Sequence, residues 1–452
     1  MVSLSFLLGA ACASEAPSAP DAGAPADASA TDAPFGDDAG ASPDAGEPIA
    51  EPPYETVVDV PPRGPYGTHT FVVPARANWV SSGLYLRAGQ TASITAEGTW
   101  SARGTEVGPE GDASLGDPER GCPIGALAVR SGLRYDDRIA CLAEATSYVA
   151  PRDGIIYVGM IESTDLGEAY QERLDLDGEL EVTVTSTGDT VPSVRARDVG
   201  SYPFDEVASG WVELLSDHHR VVIEAAQVGA DLPTASRSLE TLDTIWEIER
   251  DLRSASPFFG QRIRWFPDDT IESVGYMLAG NPIRCVPALM NGGDEQRILR
   301  ASETPTDIWG FSHELGHVFS FVNGTWVYQI NNVESWPNIF TLRVIRALDR
   351  VAGQPNATAY CDGRDAYLAG GPYETFRNDP FVQLCFLMEL EEAYGPSFYE
   401  RFFEGMNSET NGDVGYDGTD ASVWRYVKSR FDLAAGEDTA AHWARWRVPL
   451  GG

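Results

Sequence analysis

With 452 residues, 43% of them hydrophobic, the chain is long enough for two or three domains and has the apolar content of a globular protein. Its 68 acidic against 32 basic residues give a formal charge of −36, which argues against nucleic acid or an anionic membrane surface as a partner and fits solubility outside the cell. No stretch beyond the N-terminus is apolar for long enough to span a bilayer.

Residues 1–11 form a short apolar run that ends in Leu8-Gly9-Ala10-Ala11 before Cys12. The pattern resembles a bacterial lipoprotein signal with Cys12 as the lipidated residue; the alternative is an ordinary secretory signal. Either one takes the chain out of the cytoplasm, and a lipid on Cys12 is then its expected link to a membrane. Residues 13–62 are Ala, Asp, Pro, Gly and Ser with few apolar side chains. Such a segment cannot bury a core and is expected to be a disordered spacer.

From 63 to 188 the pattern is β. Short β-rich runs, punctuated by Gly, Asp and Pro, lie at residues 70–73, 84–86, 92–96, 126–129, 155–158 and 179–184. That spacing suggests an all-β sandwich. The succession Ser82-Gly83-Leu84-Tyr85-Leu86, Ala96-Glu97-Gly98-Thr99-Trp100, Gly125-Ala126-Leu127 and Gly154-Ile155-Ile156-Tyr157-Val158 resembles the jelly-roll modules of PA-I-type galactose-binding lectins. The resemblance implies a glycan ligand for this region. Where those lectins carry an Asn-containing calcium and sugar loop, this chain has Ile161-Glu162-Ser163-Thr164-Asp165 and a longer insert to Asp177. Cys122 and Cys141 lie in this region and can pair; of Cys285, Cys361 and Cys385 at most two can, leaving one thiol.

Residues 189–200 read as a linker, and helical periodicity rises from about 201. Residues 239–252 read as a helix, 262–266 as a strand and 276–282 as a loop near a site. Then comes His313-Glu314-Leu315-Gly316-His317. On a helix, residues four apart share a face, so His313 and His317 can point two imidazoles at one metal ion, and Glu314 can reach a water on it. A helix over about 307–322 is expected, with Thr306 and Asp307 as caps and Asn323-Gly324 as its stop.

Catalytic zinc usually takes three protein ligands and a water. Glu334 fits as the third, at the head of an apolar run (Trp336, Ile339, Phe340, Val344, Ile345, Leu348) that reads as a second helix with Pro337 in its first turn. The other carboxylates are Asp307, close in sequence and better used as a cap, and Asp349, at the far end of that helix. Further helices are expected over 379–394, 397–406, 423–431 and 439–446.

Three blocks then resemble the M60 (enhancin-like) metallopeptidases, a gluzincin group. They are Gly275-Tyr276-Met277-Leu278-Ala279-Gly280-Asn281-Pro282-Ile283, Trp309-Gly310-Phe311-Ser312-His313-Glu314-Leu315-Gly316-His317 and Glu334-Ser335-Trp336-Pro337-Asn338-Ile339-Phe340. The resemblance covers roughly 200–452. It implies His313, His317 and Glu334 as zinc ligands, Glu314 as general base, and a glycoprotein substrate of mucin type. The chain departs from the family pattern at Val318, Phe319 and Ser320 and at Pro337. Tyr328, Tyr276 and His442 are candidate oxyanion donors.

The expected protein is therefore multidomain: an N-terminal all-β jelly-roll sandwich over 63–188, then an α+β, mainly helical gluzincin-type zinc peptidase domain over 201–452. The expected activity is hydrolysis of peptide bonds in O-glycosylated proteins. The competing readings are a glycan-binding surface protein with an inactive peptidase fold, and a zinc peptidase that needs no glycan on its peptide substrate.

Overall fold

The computed structural model describes residues 52, 55–102, 104–115, 122–142, 147–161, 176–257, 260–273, 275–291, 297–303, 308–322, 327–350 and 361–451. Cys12 with the rest of 1–12, residues 13–51, 53 and 54 of the expected spacer, most of the insert after Ile161, the caps Thr306 and Asp307, and Asn323-Gly324 lie outside them. Residues 55–62, expected to be disordered, are instead packed: Val58 and Val60 are buried in the core of the β-rich region.

Ten strands come first: β1 (Pro65–Pro74), β2 (Val80–Leu86), β3 (Thr91–Ala102), β4 (Thr105–Val107), β5 (Glu110–Asp112), β6 (Ile124–Ser131), β7 (Ala140–Cys141), β8 (Ser147–Val149), β9 (Gly154–Met160) and β10 (Asp177–Thr190). The six runs read as β lie in the six long strands. The four others have two or three residues each, too few to show a period.

β10 runs between β1 and β3, antiparallel to both, and β3 also carries β4 and β8. A second antiparallel group joins β2, β9 and β6, with β5 and β7 against β6. The groups meet where Asp189 and Thr190 pair with Tyr85 and Leu84. In β10, Leu180, Val182 and Val184 point inward while Glu179, Glu181 and Thr185 face solvent, the alternation of a sheet wetted on one side. β6 differs: every residue in it is buried. A strand buried on both faces needs a second covering layer.

That layer is a six-stranded sheet made of β11 (Ser193–Arg195), β12 (Trp211–Leu215), β13 (His219–Glu224), β14 (Ile263–Pro267), β15 (Met277–Leu278) and β16 (Ile283–Cys285), in the order β11-β12-β13-β14-β16-β15. Phe266 and Val222 of this sheet belong to the apolar core of the β-rich region. Arg264 donates to the Trp79 carbonyl at 2.8 Å, and Asn78 Nδ2 to the Asn281 carbonyl at 2.7 Å. Arg220, buried at 1%, pairs with Glu213 at 3.2 Å and with Glu55 at 2.6 Å. The span expected to be a linker, 189–200, is built into this junction. It ends β10, supplies β11 parallel to β12, and buries Thr190, Val191, Val194 and Val199 at 2% exposure or less. Its polar composition hid inward-pointing side chains.

Eleven α-helices follow among the described residues: α1 (Ala225–Ala230), α2 (Leu232–Arg253), α3 (Pro287–Asn291), α4 (Trp309–Ser320), α5 (Ser335–Ala347), α6 (Asp362–Leu368), α7 (Tyr373–Asn378), α8 (Pro380–Tyr394), α9 (Phe398–Met406), α10 (Asp420–Ala435) and α11 (Ala440–Arg445). α2 crosses between the parallel strands β13 and β14, and one apolar core joins the sheet to α2, α4, α5 and α8–α11. The Asp379 carboxylate caps α8 by accepting from the Phe381 and Val382 amides. Among the described residues no helix is long and apolar enough to cross a membrane. Disulfides join Cys122 to Cys141 and Cys361 to Cys385, and Cys285 is free and buried.

Candidate metal centre

α4 forms because Phe311, Leu315, Val318 and Phe319 recur at helical spacing, and all four are buried. Phe311 packs edge-on against Trp265 of β14 and Phe319 against Trp246 of α2. These contacts fix the rotation of α4. The remaining stripe carries His313 and His317 one above the other, with ring centroids 4.7 Å apart.

Glu334 is the residue just before α5, with Pro337 inside the first turn. A proline there has no amide hydrogen to lose from the helix ladder. α5 approaches α4 at Gly316, where a β-carbon would stand 2.9 Å from the Pro337 carbonyl oxygen and 3.1 Å from its α-carbon. That closeness brings Glu334 Oε2 to 3.1 Å from His313 Nε2 and 3.4 Å from His317 Nε2.

One more residue of α5 acts on the cluster. Asn338 Nδ2 donates to the Glu334 carbonyl at 2.9 Å, so its Oδ1 faces His313 Nδ1 at 2.8 Å. His313 therefore carries a proton on Nδ1, which leaves Nε2, facing Glu334 and His317, as the atom that would bind a metal. This is how a residue behind a metal-binding imidazole sets its tautomer. In the sequence Asn338 stands only as one member of the Glu334–Phe340 block, with nothing but its spacing of four from Glu334 to mark this task.

Burial drives the Glu314 carboxyl up. The charges of His317 and His313 and a hydrogen bond from the Ala279 amide oppose this, and the net shift is upward. Burial also works against ionised Glu334, but His317 and His313 outweigh it and hold that carboxyl well below the usual range. Burial would lower His313; the Glu334 hydrogen bond and the Glu314 and Glu334 charges raise it. One part-buried carboxylate thus faces two imidazoles, and a second, buried carboxyl beside them is held toward neutrality. Burial and the nearby Glu314 and Asp268 keep the Cys285 thiol protonated.

The donor set fits a divalent cation. His313, His317 and Glu334 each offer one ligand atom, all within 4.8 Å of one another, and form the one such group of three among the described residues. Ligands about 2.0–2.1 Å from a tetrahedral zinc stand about 3.3 Å apart, close to the 3.1 and 3.4 Å found here. Asp349 does not join them, since it lies beyond the other end of α5. Of the candidate oxyanion donors, Tyr328 is fully buried and gives its hydroxyl to the Ser320 carbonyl. His442 is hydrogen-bonded to the Phe386 carbonyl within the helical core. Tyr276 alone is exposed, at 67%, next to β15.

β15 is the terminal strand of its sheet, paired with β16 alone among the described residues. The Ala279 amide just beyond it reaches Glu314. Among the described residues no strand pairs with the outer edge of β15, which runs past the cluster.

The family described as peptidase M60, enhancin and enhancin-like, matches residues 205–447, more than half of the chain. No curated protein matches the sequence. Among solved structures, a functionally unknown conserved protein from Bacillus anthracis str. Ames aligns with 85% of this chain and 77% of its own, at 15% identity and a TM-score of 0.58. The catalytic module of the metalloprotease ZmpA from Clostridium perfringens aligns with 84% of this chain and 77% of its own, at 14% identity and a TM-score of 0.54. The M60 catalytic domain of ZmpC from Clostridium perfringens, in complex with the sialyl T antigen, aligns with 85% of this chain and 78% of its own, at 15% identity and a TM-score of 0.52. These alignments reach well beyond the 205–447 match, so the likeness of fold extends into the β-rich region.

Proposed function

The chain belongs to the peptidase M60 family of enhancin and enhancin-like proteins, and from that premise we propose that it is a zinc-dependent metallopeptidase of gluzincin type, hydrolysing peptide bonds in O-glycosylated proteins. The observation that carries the reading is the convergence of His313 Nε2, His317 Nε2 and Glu334 Oε2 beside a buried Glu314.

Zinc held by those three side chains supplies a Lewis acid that acidifies water and polarises a carbonyl. Asn338 and the α4–α5 contact hold the donors in place. Glu314, raised by burial, is suited both to accept a proton from the attacking water and to give it to the leaving amine. The outer edge of β15 offers main-chain hydrogen bonds that hold an extended peptide alongside the helix carrying Glu314.

The glycan part of the proposal is supported by the company the fold keeps. The ZmpC domain was solved in complex with the sialyl T antigen, and a further metallopeptidase of similar fold (12% identity, TM-score 0.52) in complex with the Tn antigen. The test is a paired digest of one peptide with and without O-glycans, by the wild type and by Glu314→Gln. Cleavage confined to the glycosylated peptide and abolished in the variant is expected. Full activity of the variant would sink the catalytic assignment, and equal cleavage of both peptides would leave a peptidase with no glycan requirement.

The β-rich region is read as a jelly-roll sandwich because its two antiparallel groups share one core. An extracytoplasmic location is proposed as well, supported by the two disulfides, which persist in oxidising compartments.

A further inference from the structure

Among the described residues, Tyr135 and Tyr276 are exposed at 58% and 67%. They come from different parts of the chain. Tyr276 precedes β15, and its carbonyl accepts from the Val286 amide at 2.9 Å. Tyr135 lies in the loop between β6 and β7, in the β-rich region. That loop is fastened to the β15–β16 ribbon. The Tyr135 amide donates to Asp268 Oδ2 at 2.6 Å, Arg284 Nε donates to the Leu133 carbonyl at 2.8 Å, and the Arg284 guanidinium lies 5.9 Å from the Tyr135 ring.

Register places the two rings on one face. Arg284 is opposite Leu278, and Cys285 is opposite Met277. Alternation puts Tyr276, Leu278 and Arg284 on one side of the ribbon and Met277 and Cys285 on the other, where Cys285 senses the Glu314 charge. Tyr276 and Arg284 are then diagonal neighbours, about 7–8 Å apart. Tyr135 and Tyr276 are thus exposed rings that both neighbour Arg284, itself buried at 2%, beside the terminal strand β15. Beside Tyr135, exposed Asp269 and Asp136 are ion-paired with Arg134 and Arg152, giving a polar rim without net charge.

We propose that Tyr135 and Tyr276 form a platform that holds the O-linked sugar of the substrate, making Tyr135 a specificity residue that the β-rich region contributes to the peptidase. An extended peptide on the edge of β15 points alternate side chains toward the metal cluster and toward the tyrosines. A glycosylated side chain on the second set lands on the rings. A sugar has an apolar C–H face and a rim of hydroxyls, and a flat aromatic surface bordered by charged groups matches both.

The inference rests on the glycopeptidase reading above, so its test uses binding rather than turnover. The full-length Glu314→Gln protein is titrated with a peptide carrying one threonine-linked N-acetylgalactosamine and with the same peptide bare. Tighter binding of the glycopeptide is expected. Tyr135→Ala and Tyr276→Ala should each cut the affinity ratio about three- to tenfold, and Tyr135→Trp should keep it, with melting temperatures confirming folded proteins. A ratio of one in the parent protein, or a ratio unchanged in the double alanine variant, would overturn the platform. A glycan-dependent ratio in a protein whose Glu314 form cleaves neither peptide would instead overturn the peptidase reading and leave the platform standing.

Discussion

Gly316 and Pro337 meet backbone to backbone: a β-carbon on Gly316 would stand 2.9 Å from the Pro337 carbonyl oxygen. The glycine inside the His-Glu-Leu-Gly-His run therefore sets the distance between the helix that carries the histidines and the one that begins at Glu334. Real β-carbons do not sit that close to backbone, so Gly316→Ala must push α5 away. We expect a loss of about 1–3 kcal/mol in stability, as for other overpacked cores, together with reduced zinc stoichiometry as Glu334 is drawn off. Urea unfolding and metal analysis of the purified variant check both. Full zinc content at unchanged stability would show that α5 yields freely.

Asn338 makes a prediction that separates orientation from ligation. Asn338→Ala removes the acceptor for the His313 Nδ1 proton but no ligand atom. Losses of about 10–100-fold in metal affinity follow the removal of such partners. Competition with a chelator of known affinity measures it. Wild-type affinity in Asn338→Ala would mean that packing alone orients His313.

Much of this centre was legible in the chain, and the reasons are local. His313 and His317 share a face whatever the fold, because four residues make about one turn. Glu334 announced itself at the head of an apolar-periodic run, and Pro337 stayed within the first turn of α5. The Asn338 contact spans two helices, so no single stretch displays it. Tyr328 and His442 read as candidate donors because burial is set by the assembled core, which also gave their polar atoms to the Ser320 and Phe386 carbonyls. The 189–200 segment read as a linker because strands that cross from one sheet to another need only a few inward residues, here Thr190, Val191 and Val194. The β-rich strands were visible one by one. Their second covering layer was not, since nothing in β6 names the sheet that packs on it.

The junction between the β-rich region and the six-stranded sheet should be obligatory. Arg220 is buried between Glu213 and Glu55 and also donates to the Thr56 carbonyl. Truncating one member of a buried ionic group leaves uncompensated charge, typically at about 3–5 kcal/mol. Arg220→Ala is expected to lose that much, while Arg220→Met with Glu213→Gln recovers part of it. Chemical denaturation of the three proteins decides. A single variant within about 0.5 kcal/mol of the wild type would show that the junction is carried by apolar contacts alone.

Glu249 of α2 makes its own contribution to the pH dependence of stability. It is fully buried, neither carboxyl oxygen has a hydrogen-bond partner, and burial raises it well above the ordinary carboxylate value. Below about pH 4 both the folded and unfolded chains carry the proton, and the group costs nothing through ionisation. As pH rises past that value the unfolded chain ionises while the folded one stays neutral. The folded state then holds more protons, and stability falls by about 1.4 kcal/mol per pH unit until the folded group itself ionises. Glu249→Gln removes this proton difference and keeps the shape. The variant should therefore gain on the wild type steadily between pH 5 and 7, whatever their offset at pH 5, by about 1–3 kcal/mol in all. Denaturant unfolding of both proteins at several pH values gives the slope directly, and parallel curves would mean that Glu249 ionises normally in the folded protein.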